Sequence, residues 1–212
     1  KSSDTASNVT AIISSTFTWD SDKPLSVTTS PSNGFYINAA GWTSIAGTAA
    51  DTGTNPGCPD RVRVSVRQLG TGLVGNTDPV MQWWRTLGPD FDTASDGPPG
   101  WSLSQTAVLG SCSGGVVGWN FPDTTLSQLT SGTSYYVVTE ARDSSGLLEI
   151  DFTTDISTFV YDNDKPSTTI TGPLHGAIRS NLTQITGTMQ DFPNTSDRSP
   201  AGIHRVELTI QR

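Results

Sequence analysis

Carboxylates two residues apart recur in this chain inside one hexapeptide: Trp19-Asp20-Ser21-Asp22-Lys23-Pro24 returns as Tyr161-Asp162-Asn163-Asp164-Lys165-Pro166, an offset of 142 positions (162 − 20). Carboxylates are oxygen donors, and a hard cation such as Ca²⁺ gathers about six to eight oxygens. The same residue types also do purely local work. Asp and Asn accept backbone hydrogen bonds in turns, and proline sets the φ angle of the residue that starts the next strand. Other chemistry is poorly provided for. His175 and His204 have no second His, Cys or catalytic acid near them in sequence, and the chain lacks a nucleophile elbow, a zinc-protease helix motif, a phosphate loop and a dinucleotide fingerprint. Asp90 and Asp92 are an acid pair, but nothing in the sequence fixes the separation that glycoside hydrolysis requires. The chain reads as non-enzymatic.

The elements that must position these acids recur with them. Ser15-Thr16-Phe17-Thr18 is answered by Ser157-Thr158-Phe159-Val160, and Ser30-Pro31-Ser32-Asn33-Gly34 by Gly172-Pro173-Leu174-His175-Gly176, both at 142. Ile45-Ala46-Gly47-Thr48-Ala49-Ala50-Asp51 matches Ile185-Thr186-Gly187-Thr188-Met189-Gln190-Asp191 at 140 (187 − 47), and Arg61–Gln68 matches Arg205–Arg212 at 144 (205 − 61). A domain-length period with matching flanks marks tandem modules, and loops absorb the small changes of offset. The expected division is a terminal strand of a preceding module in residues 1–19, a complete module in 20–161 and the first strands of a following module in 162–212. Incomplete modules would expose strand edges and half a core, so the partners expected are neighbouring modules of the same or adjacent chains.

Composition sets the class. With 33% hydrophobic residues, 21 Gly and 13 Pro, the chain suits short strands and many turns, and an all-β protein is expected. A net charge of −8 argues against nucleic acid and anionic membrane as partners, and no apolar run reaches the length of a membrane span. Cys58 and Cys112 stand in turn-like contexts of the same module, where either a disulfide or two free thiols would fit. The triplets starting at Asn8, Asn181 and Asn194 are N-glycosylation sequons of the kind that Ser/Thr-rich chains also contain by chance. Six tryptophans serve two readings: core packing, with Trp84 or Trp101 between sheets and Trp19 at a junction, or a carbohydrate-binding face.

The run from Leu129 to Gly146 resembles the E–F corner and F strand of fibronectin type III domains and of related bacterial Ig-like modules. Leu129, Thr133 and Tyr135 have the spacing of that family's tyrosine corner, and Ala141-Arg142-Asp143 precedes the turn at Gly146; Ser131 departs from the family's usual Pro. The resemblance implies a Greek-key β-sandwich. In that reading Val62, Val64 and Val66 face the Tyr135 strand from the other sheet, Ile45 lies on an earlier strand, and Leu148–Phe152 begins the final strand. Residues 69–128 exceed what that fold requires and are expected to hold the intervening strands with enlarged loops.

The Asp-x-Asp-Lys-Pro junction resembles the linkers of cadherins and of Ca²⁺-dependent bacterial adhesins. That likeness implies Ca²⁺ at module junctions, with Asp162, Asp164, Asp143, Glu140 and Asp191 at one and Asp20, Asp22 and Asp51 at the other. The function implied is a structural segment of a long extracellular or cell-surface repeat protein, a stalk, fibre or adhesin shaft. Two alternatives stand beside it: a filament protomer completed by neighbouring chains, and a carbohydrate-binding module attached to a hydrolase.

Overall fold

Strands form here where apolar residues alternate, because alternate side chains of an extended chain point to opposite faces. The computed structural model describes residues 2–53, 56–69, 82–85, 90–92, 105–121, 129–150, 156–194 and 200–211, with backbone alone at 82–85, 90–92 and 105. Among these the protein is all-β, with no helix. One sheet takes β1 (Leu25–Ser30), β3 (Ile45–Ala50), β9 (Val116–Phe121) and β8 (Val108–Leu109), in that order. The other runs β2 (Phe35–Ile37), β11 (Ser157–Tyr161), β10 (Thr133–Asp143), β4 (Pro59–Leu69), β5 (Gln82–Arg85) and β6 (Asp90–Asp92), with β7 (Gln105–Thr106) also paired to β4. Its pairs are antiparallel except β2 with β11, which is parallel.

The two sheets make a β-sandwich around one core. Ile45, Ala49, Val117, Trp119 and Phe121 come from the first sheet and Val62, Val64, Val66, Tyr135, Val137, Ala141 and Phe159 from the second. The three valines of β4 therefore do not face the Tyr135 strand across the core, as the sequence suggested. They lie beside it in one sheet, with Val62 opposite Ala141, Val64 opposite Thr139 and Val66 opposite Val137. Alternation reports which face a residue takes but not which sheet its strand joins, so the same pattern fits either placement.

Gly47 sits directly opposite Trp119 in the ladder, and a Cβ there would run into the Trp119 ring and the Val27 carbonyl. The missing side chain lets the indole lie flat over β3, where its Nε1 donates to the Thr48 carbonyl at 3.0 Å. Trp119, with the half-buried Trp42 packed 5.5 Å from the Phe159 ring, supplies the core indoles seen among the described residues. Trp101 and the side chain of Trp84, the expected core positions, lie outside them, as do the side chains of Asp90 and Asp92. Trp19 is exposed.

The closing strand also differs from expectation. It is Ser157–Tyr161, whereas Leu148 makes a single bridge to Arg142 and residues 151–155 lie outside the described ones. Glu149 is turned inward: its carboxylate accepts from the Ser26 amide at 3.1 Å, the Ser26 hydroxyl at 2.6 Å and the Ala141 amide at 2.8 Å, tying β1 to β10. Three donors make the burial of this acid tolerable.

The flanking segments are thinner than the expected strands. Residues 2–24 hold one bridge, Ser3 to Val9, rather than a strand. After the second hexapeptide, β12 (Ser167–Gly172) and β13 (Thr186–Gln190) form a separate antiparallel pair, and residues 205–211 join no sheet although they match β4 in sequence. A strand is made by its partner, and β4 owes its length to a ladder with β10 that spans ten paired positions.

Tyr135 is fully buried, stacks 5.3 Å from Phe159 and accepts a 2.8 Å hydrogen bond on its hydroxyl from the Thr130 amide, with Leu129 and Thr133 buried beside it. Tyr135→Phe removes the acceptor and strands that amide. The expected loss is about 1–3 kcal/mol of unfolding free energy in a urea titration; an unchanged midpoint would show that the corner carries no stability.

Candidate metal centre

Three segments far apart in sequence each carry an aspartate, and the fold brings the three together. Asp20 belongs to the hexapeptide before β1, Asp51 follows β3, and Asp143 ends β10. One carboxylate oxygen from each lies within 4.8 Å of the others. Asp51 and Asp143 are 2% and 0% exposed, and Asp20 is half-buried.

Each carboxylate is held by one oxygen and open at the other. Asp20 Oδ1 accepts from the Asp22 amide at 3.2 Å, Asp51 Oδ2 from the Gly57 amide at 2.6 Å, and Asp143 Oδ1 from the Ser145 hydroxyl at 2.7 Å and the Leu147 amide at 2.9 Å. The second oxygens, Asp20 Oδ2, Asp51 Oδ1 and Asp143 Oδ2, are buried without a hydrogen-bond partner. Burial pushes the Asp51 carboxyl above its usual range; the Gly57 amide pulls it down, and the charges of Asp20 and Asp143 push it further up. Arg142 is committed elsewhere, both of its bonds to Asp60 measuring 2.9 Å.

The scaffold around the cluster is cross-tied. The Asp51 amide donates to the Gly115 carbonyl at 2.9 Å, and the Ser144 amide donates to the Cys58 carbonyl at 3.0 Å. Cys58 and Cys112 form a disulfide that closes a 54-residue separation at this same end of the sandwich.

The grouping differs from the one the sequence suggested. Asp143 does not serve the junction of Asp162 and Asp164. Strand β10 starts at Thr133, opposite Tyr161, and ends at Asp143, opposite Pro59. Its 11 residues carry Asp143 roughly 34 Å away from the second hexapeptide. Glu140 is committed to Arg63, whose Nε donates to it at 2.6 Å in a partly buried pair. Asp22 is exposed and its carboxylate lies beside Gly53.

At the second hexapeptide the acids are satisfied by protein donors. Asp162 accepts from the Ser131 hydroxyl at 3.2 Å and the Asp164 amide at 3.1 Å on one oxygen, and from the Ala201 amide at 2.6 Å on the other. Asp191 accepts from the Phe192 amide at 3.0 Å and the Gly202 amide at 2.7 Å. The Asp164 side chain is exposed. The matching offsets paired Asp20 with Asp162 and Asp51 with Asp191, and each pair does occupy like places beside a loop. Two residues near the first cluster gave no signal in the sequence: Gly57, and Ser144 whose hydroxyl faces it.

No protein-family model matches the chain, and no curated protein matches it. Among the described residues no helix is long and apolar enough to cross a membrane.

Two expectations follow from this geometry. With a chelator present, Asp51→Asn keeps the bond from Gly57 and removes a charge, so thermal melting should occur at higher temperature. The gain expected is on the order of 1 kcal/mol, the size of one like-charge contact about 4 Å apart in water; a lower melting temperature would count against repulsion in the cluster. Replacing both cysteines by alanine should cost about 4 kcal/mol by the chain-entropy relation for a loop of this length, read as a fall in the denaturant midpoint.

Proposed function

We propose that the chain is a non-enzymatic structural segment of a repeat protein, built from tandem Ig-like or fibronectin type III-like modules and working as a stalk, fibre or adhesin shaft outside the cell. One observation carries this reading. The pair β12–β13 repeats the pair β1–β3 position by position: Leu25 opposite Ala50 becomes Ser167 opposite Gln190, and Thr28 opposite Gly47 becomes Ile170 opposite Gly187. The irregularity between Thr28 and Ser30 returns between Ile170 and Gly172. The tyrosine-corner bond of Tyr135 and the order of the core strands support the fibronectin-like form of the module, and the disulfide suits an oxidising compartment.

The junction is the working part of such a segment. The second hexapeptide follows β11 directly, and its residues are tied to the module behind it: the Asp162 amide donates to the Ile37 carbonyl at 2.9 Å and the Asn163 amide to the Ser131 hydroxyl at 2.9 Å. It is tied forward by the Ala201 amide on Asp162. A linker bonded on both sides fixes how one module is aimed at the next, which is what a load-bearing or distance-setting segment needs.

The test is a protein carrying residues 20–161 twice, joined through the natural hexapeptide. Small-angle scattering should give an elongated particle about twice as long as one copy, and unfolding should proceed from native modules without an aggregated intermediate. A single compact particle, or a product that fails to fold, would remove the modular reading.

A further inference from the structure

We infer that Asp20, Asp51 and Asp143 form a binding site for one hard divalent cation, of the Ca²⁺ class, entered past Gly57. Three carboxylate oxygens here, Asp20 Oδ2, Asp51 Oδ1 and Asp143 Oδ2, are buried with no hydrogen-bond donor. A buried carboxylate oxygen without a donor is costly, and three such oxygens, on carboxylates that each bring one oxygen within 4.8 Å of the others, multiply that cost unless positive charge stands among them. Oxygens bound to one Ca²⁺ at about 2.3–2.6 Å can be no more than about 5 Å apart, and this set meets that limit.

The anchoring of the other three oxygens strengthens the case. Each carboxylate has its orientation set by an amide or hydroxyl on one side, so the free oxygen is presented rather than left to rotate. Supporting bonds of this kind are what orient metal ligands in proteins. The donor set is all oxygen, with no His and no free Cys, which selects against Zn²⁺ and for Ca²⁺ or its chemical relatives. Three ligands from separate segments suit the loose geometry of Ca²⁺ better than the tight octahedron of Mg²⁺, with water completing the shell.

Gly57 provides an independent mark. A Cβ built there would have, as its three nearest neighbours, Asp20 Oδ2 at 2.8 Å, Asp51 Oδ2 at 3.2 Å and Ser144 Oγ at 3.2 Å. The space that a methyl group would fill is therefore lined by oxygen. Its backbone φ lies outside the left-handed region, so the absence of a side chain is not required by conformation. What glycine preserves at position 57 is room beside the carboxylates.

The consequence rests on the modular reading above: Asp20 belongs to the linker while Asp51 and Asp143 belong to the module, so the ion would fasten the one to the other. Binding itself does not depend on that reading, and the two fail separately. The experiment uses the full chain, freed of metal, titrated with CaCl₂ by calorimetry and melted with and without EDTA. Wild type should bind one Ca²⁺ and melt higher in its presence. Gly57→Ala keeps every carboxylate yet should bind about 10–100-fold more weakly, as should Asp143→Asn, while Asp164→Asn at the other hexapeptide should match wild type. Should Asp143→Asn fail to fold, Asp20→Asn in the linker takes its place. No heat and no change in melting for wild type would overturn the inference. Undiminished affinity in both Gly57→Ala and the carboxylate variant, or preference for Zn²⁺ over Ca²⁺, would overturn it equally.

Discussion

The pairing of β10 with β4 is the constraint on which the rest of the molecule depends. It joins ten residue pairs, and β10 is withdrawn from water on both faces for most of its length. One face gives Tyr135, Val137 and Ala141 to the core; the other buries Ser134, Val138 and Glu140. A slip of one residue would send the core side chains to the wrong face. It would also displace both ends of the strand, where Tyr135 meets the amide of Thr130 and Asp143 meets Asp20 and Asp51. The register therefore sets the corner at one end and the acidic cluster at the other with a single set of backbone bonds.

The acidic cluster is stabilised by structure paid for elsewhere. Asp51 and Asp143 are buried, and like charges close together favour unfolding unless something offsets them. The disulfide, the Asp51 to Gly115 bond and the Ser144 to Cys58 bond all close this end of the sandwich, so the carboxylates cannot separate without breaking covalent or well-ordered contacts. Arg63 offers the contrast. It neutralises Glu140 within the same sheet, and that acid needs nothing more. Acids of the same strand thus meet opposite fates, according to whether the sheet places an arginine across from them.

The all-β class and the proximity of Asp51 to the first hexapeptide were legible in the sequence because they rest on alternation and on matching offsets, both of which are local or one-dimensional. Sheet membership was not. The valines of β4 look the same whether β4 pairs with β10 or faces it, and only the ladder decides. Asp143 was grouped with the wrong hexapeptide for a related reason: neighbours in sequence at the end of a long strand are distant in space from its beginning. Glu149 hid inside an alternating pattern, since a donor from β1, more than a hundred residues earlier, is what permits its burial. Gly57 left no trace because an absent side chain reveals its purpose only once the groups around it are placed.

The two hexapeptides, alike in sequence, meet different groups among the described residues. At the second, backbone amides at 201 and 202 reach Asp162 and Asp191, and both oxygens of each acid are engaged. At the first, the loop at Gly57 supplies one amide to Asp51, and the end of β10 supplies another acid in place of further donors. An additional carboxylate is the opposite of what the amides alone would require. In this chain β10 delivers its terminal aspartate, Asp143, to the first hexapeptide, beside Asp20 and Asp51.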